Sequence, residues 1–126
     1  MLSTPPLVSV VDDDESVRES LPDLLRLSGY AAAAFPSAEA FLASGVVSTT
    51  NCLLLDIAMP GMSGPELQVE LQRRQQDIPI VFITGHGDSI TRTRLLAGGA
   101  VECLSKPFSE AALLDALNVA LRTRET

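Results

Sequence analysis

Four polar features of this chain carry side chains capable of chemistry, and each follows a short apolar run. Asp12, Asp13, Asp14 and Glu15 follow LVSVV, Asp56 follows CLLL, Thr84 follows PIVFI, and Lys106 lies in SKPF just after VECL. Carboxylates crowded together repel unless a cation joins them, and hard oxygen ligands that leave water positions open suit Mg2+ or Mn2+. If Asp12, Asp13 and Asp56 hold such an ion, a phosphoryl donor can complete its octahedron. The metal then offsets the repulsion between phosphate oxygens and an attacking carboxylate. Asp56 would be the nucleophile, since carboxylates form aspartyl phosphates and a strand end is a rigid mount. Lys106 supplies a point charge for one phosphoryl oxygen, and Thr84 a hydroxyl for another. The hydroxyl bond exists only when phosphate is present, which gives Thr84 and its loop a reason to move on phosphorylation.

The elements that must position these residues are legible as alternating patterns. Apolar runs at 7–11, 30–35, 51–56, 79–83 and 101–104 read as strands, the second only weakly because YAAAAF is rich in alanine. Several lack polar alternation, as strands buried on both faces of a parallel sheet do. Helical segments fill the gaps, so a doubly wound α/β sheet is expected. In such a sheet the carboxyl ends of the strands line one edge, where ligands bind beside a topological switch point.

Helix starts are marked at Ser37, at Ser63-Gly64-Pro65-Glu66, at Asp88 or Ser89, and at Ser109; Gly98 and Gly99 end the fourth helix. Leu67 and Leu71 share one face of the third helix, and Leu113, Leu114, Leu117 and Leu121 form a stripe on the last, which should stop near Arg122. The first helix, about Glu15 to Ser28, contains Pro22. Proline there removes a backbone donor, so a kink or bulge near Arg18 to Leu21 is expected rather than a break, because the apolar stripe continues past it.

The chain's 126 residues, 46% apolar and 20% charged, amount to one domain (1–126, core about 7–122) and exclude a disordered segment. Sixteen acids against nine bases give a formal charge of -7, the wrong sign for gripping a phosphate backbone, so this segment should not bind nucleic acid by itself. Lys106 is the single lysine and His86 the single histidine. Cys52 and Cys103 lack zinc-type or CxxC spacing and read as buried free thiols in a reducing, cytoplasmic setting. Neither a signal peptide nor a membrane span is expected. Only a few polar residues follow the last helix, so any output domain is expected to lie outside this segment.

The ordered motifs VVDDDESVR, LLLDIAMPGMSG, VFITGHGD and SKPF together resemble the receiver domain of a two-component response regulator, over residues 7 to about 122. TGHGD and SAEAFL are similar to the FixJ-type (FixJ/NarL-like) subgroup, whose members are often transcription factors with a C-terminal LuxR-type helix-turn-helix. The resemblance implies a flavodoxin-like (βα)5 fold with strand order 2-1-3-4-5. It implies that Asp56 is the phosphoacceptor, that Asp12, Asp13 and Asp56 with the backbone carbonyl of Ala58 hold Mg2+, and that Thr84 and Lys106 are the switch hydroxyl and the partnering lysine. It also implies a cis peptide between Lys106 and Pro107, a small residue at Gly85 that leaves the phosphoryl group accessible, and a sensor histidine kinase as partner. Acetyl phosphate is an alternative donor, and homodimers through the fourth helix, last strand and last helix are common in the family.

Three positions depart from or refine that pattern. Receivers usually place Tyr or Phe three residues before the lysine, where this chain has Cys103. A thiol is too small to report by swinging inward, so the signal should travel through the loop after the fourth strand. Ala58 and His86 flank the path of an attacking water in this family; Ala58 cannot position water, and His86 is a candidate modulator of hydrolysis. The main enzymatic alternative is a Mg-dependent haloacid-dehalogenase-type phosphatase. It needs a second Asp two residues after the nucleophile, where Ala58 stands, so a switch with only self-directed phosphoryl chemistry is favoured over an enzyme.

Overall fold

The computed structural model describes residues 4–85 and 89–125. Elements follow in strict alternation: β1 (Leu7–Val11), α1 (Glu15–Leu27), β2 (Ala31–Phe35), α2 (Ala38–Leu42), β3 (Cys52–Asp56), α3 (Gly64–Arg73), β4 (Ile80–Thr84), α4 (Ser89–Ala97), β5 (Glu102–Ser105) and α5 (Glu110–Glu125). The strands form one parallel sheet in the order β2-β1-β3-β4-β5. This is the flavodoxin-like doubly wound architecture, with its switch point between β1 and β3.

Register decides what meets at that point. Val11 pairs with Leu55, so the next residues, Asp12 and Asp56, lie side by side on neighbouring strands. Asp56 pairs in turn with Ile83, and Thr84 with Ser105, which carries the carboxyl edge across to the segment bearing Lys106. The Lys106 N–H donates to the Thr84 carbonyl at 2.8 Å and prolongs the ladder one step beyond β5.

Alternation along the buried strands splits the core into two layers. Leu53, Leu55 and Phe82 pack with Phe41 of α2, Leu67 and Leu71 of α3 and Leu95 of α4. Cys52, Leu54, Val81 and Ile83 pack on the other face with Leu21 and Leu25 of α1 and Leu113 and Leu117 of α5. Each such aliphatic side chain contributes about 1.5–3 kcal/mol on burial, enough in aggregate to clamp the sheet from both sides. The edge strand β2 is only half-buried, and Arg26 Nη2 donates to its Ala32 carbonyl at 3.1 Å, closing part of an otherwise open edge.

Helix starts form where side-chain acceptors replace missing backbone partners. Asp14 caps α1 through Ser16 N, Ser37 caps α2 through Ala40 N, and Ser63 and Glu66 form a reciprocal capping box on α3. Ser109 Oγ accepts from Ala112 N at 3.0 Å at the start of α5. Of the two expected starts of α4, Ser89 is its first residue and Asp88 lies outside the described residues. Helix α1 runs unbroken through Pro22, whose ring is buried beside Leu21 and Leu25. Packing of that stripe offsets the lost donor. Helix α5 continues to Glu125, three residues beyond the expected stop, because Thr123, Arg124 and Glu125 include no glycine or proline to end it.

Helix α4 is held differently from the others. Leu95 is its one buried residue, next to its last turn, and beyond that turn the Gly98 carbonyl accepts from both Gln68 Nε2 and Gln72 Nε2 of α3, each at 3.2 Å. Nearer its start, Arg92 forms an ion pair with Glu102 of β5.

Gly64 opens α3 directly against the end of β3. A Cβ there would lie 2.4 Å from the Asp56 carbonyl oxygen and 3.1 Å from Ile57 Cα, both backbone atoms that cannot yield. Gly64→Ala should therefore lower the unfolding free energy by about 1–3 kcal/mol in urea titrations and displace the Asp56 and Ile57 amide resonances. Ser63→Ala, which removes only a cap, should cost about 1 kcal/mol and leave those resonances in place. Equal, resonance-neutral effects of the two would refute the close approach.

Candidate functional site

The carboxyl edge between β1 and β3 gathers three carboxylates. Asp12, Asp13 and Asp56 each place an oxygen within 4.8 Å of the others, with Asp12 and Asp56 buried and Asp13 exposed. Oxygens bound to one Mg2+ at ~2.1 Å lie on the order of 3–4 Å apart. The three oxygens lie close to that spacing, so the donor set fits a hard divalent cation that keeps several waters.

Asp12 is fully buried yet has partners for both carboxylate oxygens. Oδ1 accepts from Asp14 N at 2.9 Å, and Oδ2 accepts from Lys106 Nζ at 3.1 Å. Its main chain is held too: the N–H donates to the Phe35 carbonyl, and its own carbonyl accepts from Arg18 Nη1 at 3.0 Å. Burial of the Lys106 ammonium would lower its pKa, but the hydrogen bond and charge of Asp12, with the charges of Asp56 and Asp14, reverse that and raise it. The lysine is thus cationic at neutral pH and faces the carboxylates.

Asp56 is 8% exposed, and burial, followed by the charge of Asp12, raises its carboxyl pKa to about 7 against the opposing pull of Lys106. Without a cation nearby, its negative charge is costly at neutral pH. Thr84 is buried at the end of β4, one strand over. Ala58 lies in the loop after Asp56, fixed on one side by the Gly64 N–H to Ile57 carbonyl bond at 2.9 Å and on the other by buried Met59. The Lys106–Pro107 peptide is cis, as expected. Asp14 is the α1 cap, its carboxyl held below the ordinary range by the hydrogen bonds of Ser16. His86 lies outside the described residues.

Both cysteines are buried free thiols. Burial pushes Cys52 up to about 12 and also raises Cys103, which leaves both protonated and unreactive. Cys103 packs in the layer with Phe82, Leu95 and Ala100. Three supporting residues were not singled out as site residues from the sequence: Arg18, which fixes the Asp12 carbonyl; Gly64; and Glu39 of α2, whose Oε2 accepts from Met62 N at 3.1 Å. Gly64 carried a signal, since glycine inside a helix start is unfavourable unless a close approach demands it. Arg18 and Glu39 carried none, because their contacts depend on tertiary placement.

A parallel five-stranded sheet with this acidic cluster and lysine at its switch point defines a response regulator receiver, and the chain belongs to that family: the model of the response regulator receiver domain matches residues 8–118. Among relatives, Nodulation protein W of Bradyrhizobium diazoefficiens is 50% identical over 115 residues, 91% of this chain and 51% of that protein. The transcriptional regulatory protein FixJ of Azorhizobium caulinodans is 43% identical over 114 residues, 90% of this chain and 54% of that protein. Among solved structures, response regulator StyR matches with a TM-score of 0.87 at 49% identity, covering 95% of this chain and 61% of that one. FixJ-N matches with a TM-score of 0.84 at 37% identity, covering 95% and 96%. The chain thus spans about half the length of the curated relatives it matches. Among the described residues no helix is long and apolar enough to cross a membrane.

The raised pKa of Asp56 has a thermodynamic consequence. Its ordinary value is 3.8 and its value in the folded protein about 7, so the folded state binds more protons than the unfolded one between those limits, and stability falls as pH rises through them. Asp56→Asn, which mimics the protonated form, should melt roughly 5 °C or more above the wild type at pH 8 without metal. The gap should narrow toward pH 4 and shrink on adding Mg2+, which stabilises only the wild-type site. A gap independent of pH and metal would contradict the crowding of these charges.

Proposed function

We propose that residues 1–126, with a core of about 7–122, act as a phosphoacceptor switch: Asp56 takes a phosphoryl group from a sensor histidine kinase, and the rearranged surface controls an output. The observation that carries this is the convergence of Asp12, Asp13 and Asp56 within 4.8 Å, with Lys106 on Asp12 at 3.1 Å. Asp12, Asp13, Asp56 and the Ala58 carbonyl would hold Mg2+, with Mn2+ as a substitute. When bound, the ion neutralises charge between the carboxylate and the phosphoryl oxygens.

The protein's own groups then act in sequence. An Asp56 carboxylate oxygen attacks phosphorus, the bond from phosphorus to the donor histidine nitrogen breaks, and its electron pair stays on that imidazole, which takes up a proton from solvent. Lys106, already charged and facing the pocket, meets one phosphoryl oxygen; Thr84 donates its hydroxyl to another, drawing the end of β4 and the following loop inward. Cys103, small and packed, offers no ring to swing, which supports a response centred on that loop.

The relatives' names support transcription as the output. FixJ is a transcriptional regulatory protein, and about half of its length lies outside the match, room for a C-terminal DNA-binding domain. A cytoplasmic location follows from that partner set. The phosphatase alternative lacks support, since the position two after Asp56 is Ala58 and carries no acid.

Intact mass spectrometry after incubation with acetyl phosphate and Mg2+ tests the proposal. The wild type should gain one phosphoryl group and Asp56→Asn none, and chelation of the metal should abolish the gain. Equal labelling of both proteins, or none of either with donor and kinase alike, would overturn it.

A further inference from the structure

We infer that Glu39 of α2 is a positioning residue for the metal-bearing loop between β3 and α3. The inference rests on the phosphoacceptor reading above and extends it to a residue that makes no contact with the acidic cluster. Three successive amides order this loop after Met59: Met62 N donates to Glu39 Oε2 at 3.1 Å, Ser63 N to Glu66 Oε1 at 2.8 Å, and Gly64 N to the Ile57 carbonyl at 2.9 Å. Two of these ties lie within the β3–α3 unit itself. Glu39 is the tie from outside, 23 residues away in sequence.

Its mount is rigid although the helix is short. Ala38 and Phe41, on either side of it in sequence, are fully buried in the layer that also holds Met59, Leu55 and Leu67, and Phe41 meets Phe35 edge-on at 5.4 Å. The loop is shaped to receive the carboxylate. Gly61 has φ +76, and a Cβ there would lie 2.6 Å from Glu39 Oε2, so the missing side chain leaves the space that Glu39 fills. Between this tie and pinned Ile57 lies Ala58, whose carbonyl is the proposed metal ligand from the main chain. Outer groups of this kind orient the ligands that touch the metal, and their loss typically weakens metal binding by about 10–100-fold.

The test uses Mn2+ alone, titrated calorimetrically into the wild type, Glu39→Ala and Glu39→Gln, with hydrogen exchange at the Met62 amide. Glu39→Ala should bind Mn2+ roughly tenfold more weakly and exchange Met62 faster, with the Ile57 amide unchanged. Glu39→Gln, which keeps an acceptor but not the charge, should restore slow exchange and affinity to within about twofold. Wild-type affinity in Glu39→Ala would overturn the positioning role alone. A Gln variant as weak as Ala, with Met62 protected, would overturn it in favour of a charge effect. Wild type that binds no Mn2+ would overturn both this role and the metal site beneath it.

Discussion

Everything functional in this domain depends on negative charge gathered where the backbone leaves it little choice of place. Parallel pairing of Val11 with Leu55 fixes Asp12 and Asp56 as neighbours at the switch point, and burial of both removes the water that would screen them. Such a cluster persists only because compensating groups surround it: the Lys106 ammonium, the Asp14 amide and, in the proposed working state, a divalent ion. Fold stability and chemical readiness are therefore in tension at this edge. The sheet supplies the stability elsewhere, through two apolar layers that clamp the central strands.

The same tension accounts for how the surrounding loops are built. Among the described residues, amides of segments that leave the carboxyl edge are met by a side chain or a neighbouring strand at Asp14 before α1, at Ser63 and Glu66 before α3, and at Lys106 N on Thr84 O beside β5. Unsatisfied donors there would compete for the carboxylates or the incoming oxygens. Positions that look incidental, such as the bare Gly64 under the Asp56 carbonyl, are what let a helix start so close to the acidic cluster.

Much of this was legible in the sequence because it is written in local patterns. Unbroken apolar runs gave the central strands, serines before helical periods gave the caps, and strand-end acids gave the cluster once the strands were laid parallel. Strand bounds shifted by one residue: β4 includes Thr84 and β5 reaches Ser105, because pairing with a neighbour rather than composition ends a strand. Arg124 and its neighbours kept α5 going where polarity alone argued for a stop. Contacts of Arg18, Glu39 and the paired glutamines of α3 were invisible for a different reason: a polar residue on a helix surface reveals its partner only when another element is brought beside it.

The last turn of helix α4 is fastened by Leu95 in the core and by two amides on the Gly98 carbonyl. From Leu95 back to Ser89 is about 9 Å at ~1.5 Å per residue. Taken from that anchorage, the helix is a lever whose fulcrum lies beside α3, so the same small tilt sweeps its first turn much further than its last. Ile90, two-thirds exposed in that first turn, sits where leverage is greatest, and the Arg92–Glu102 ion pair is the brake partway along the arm.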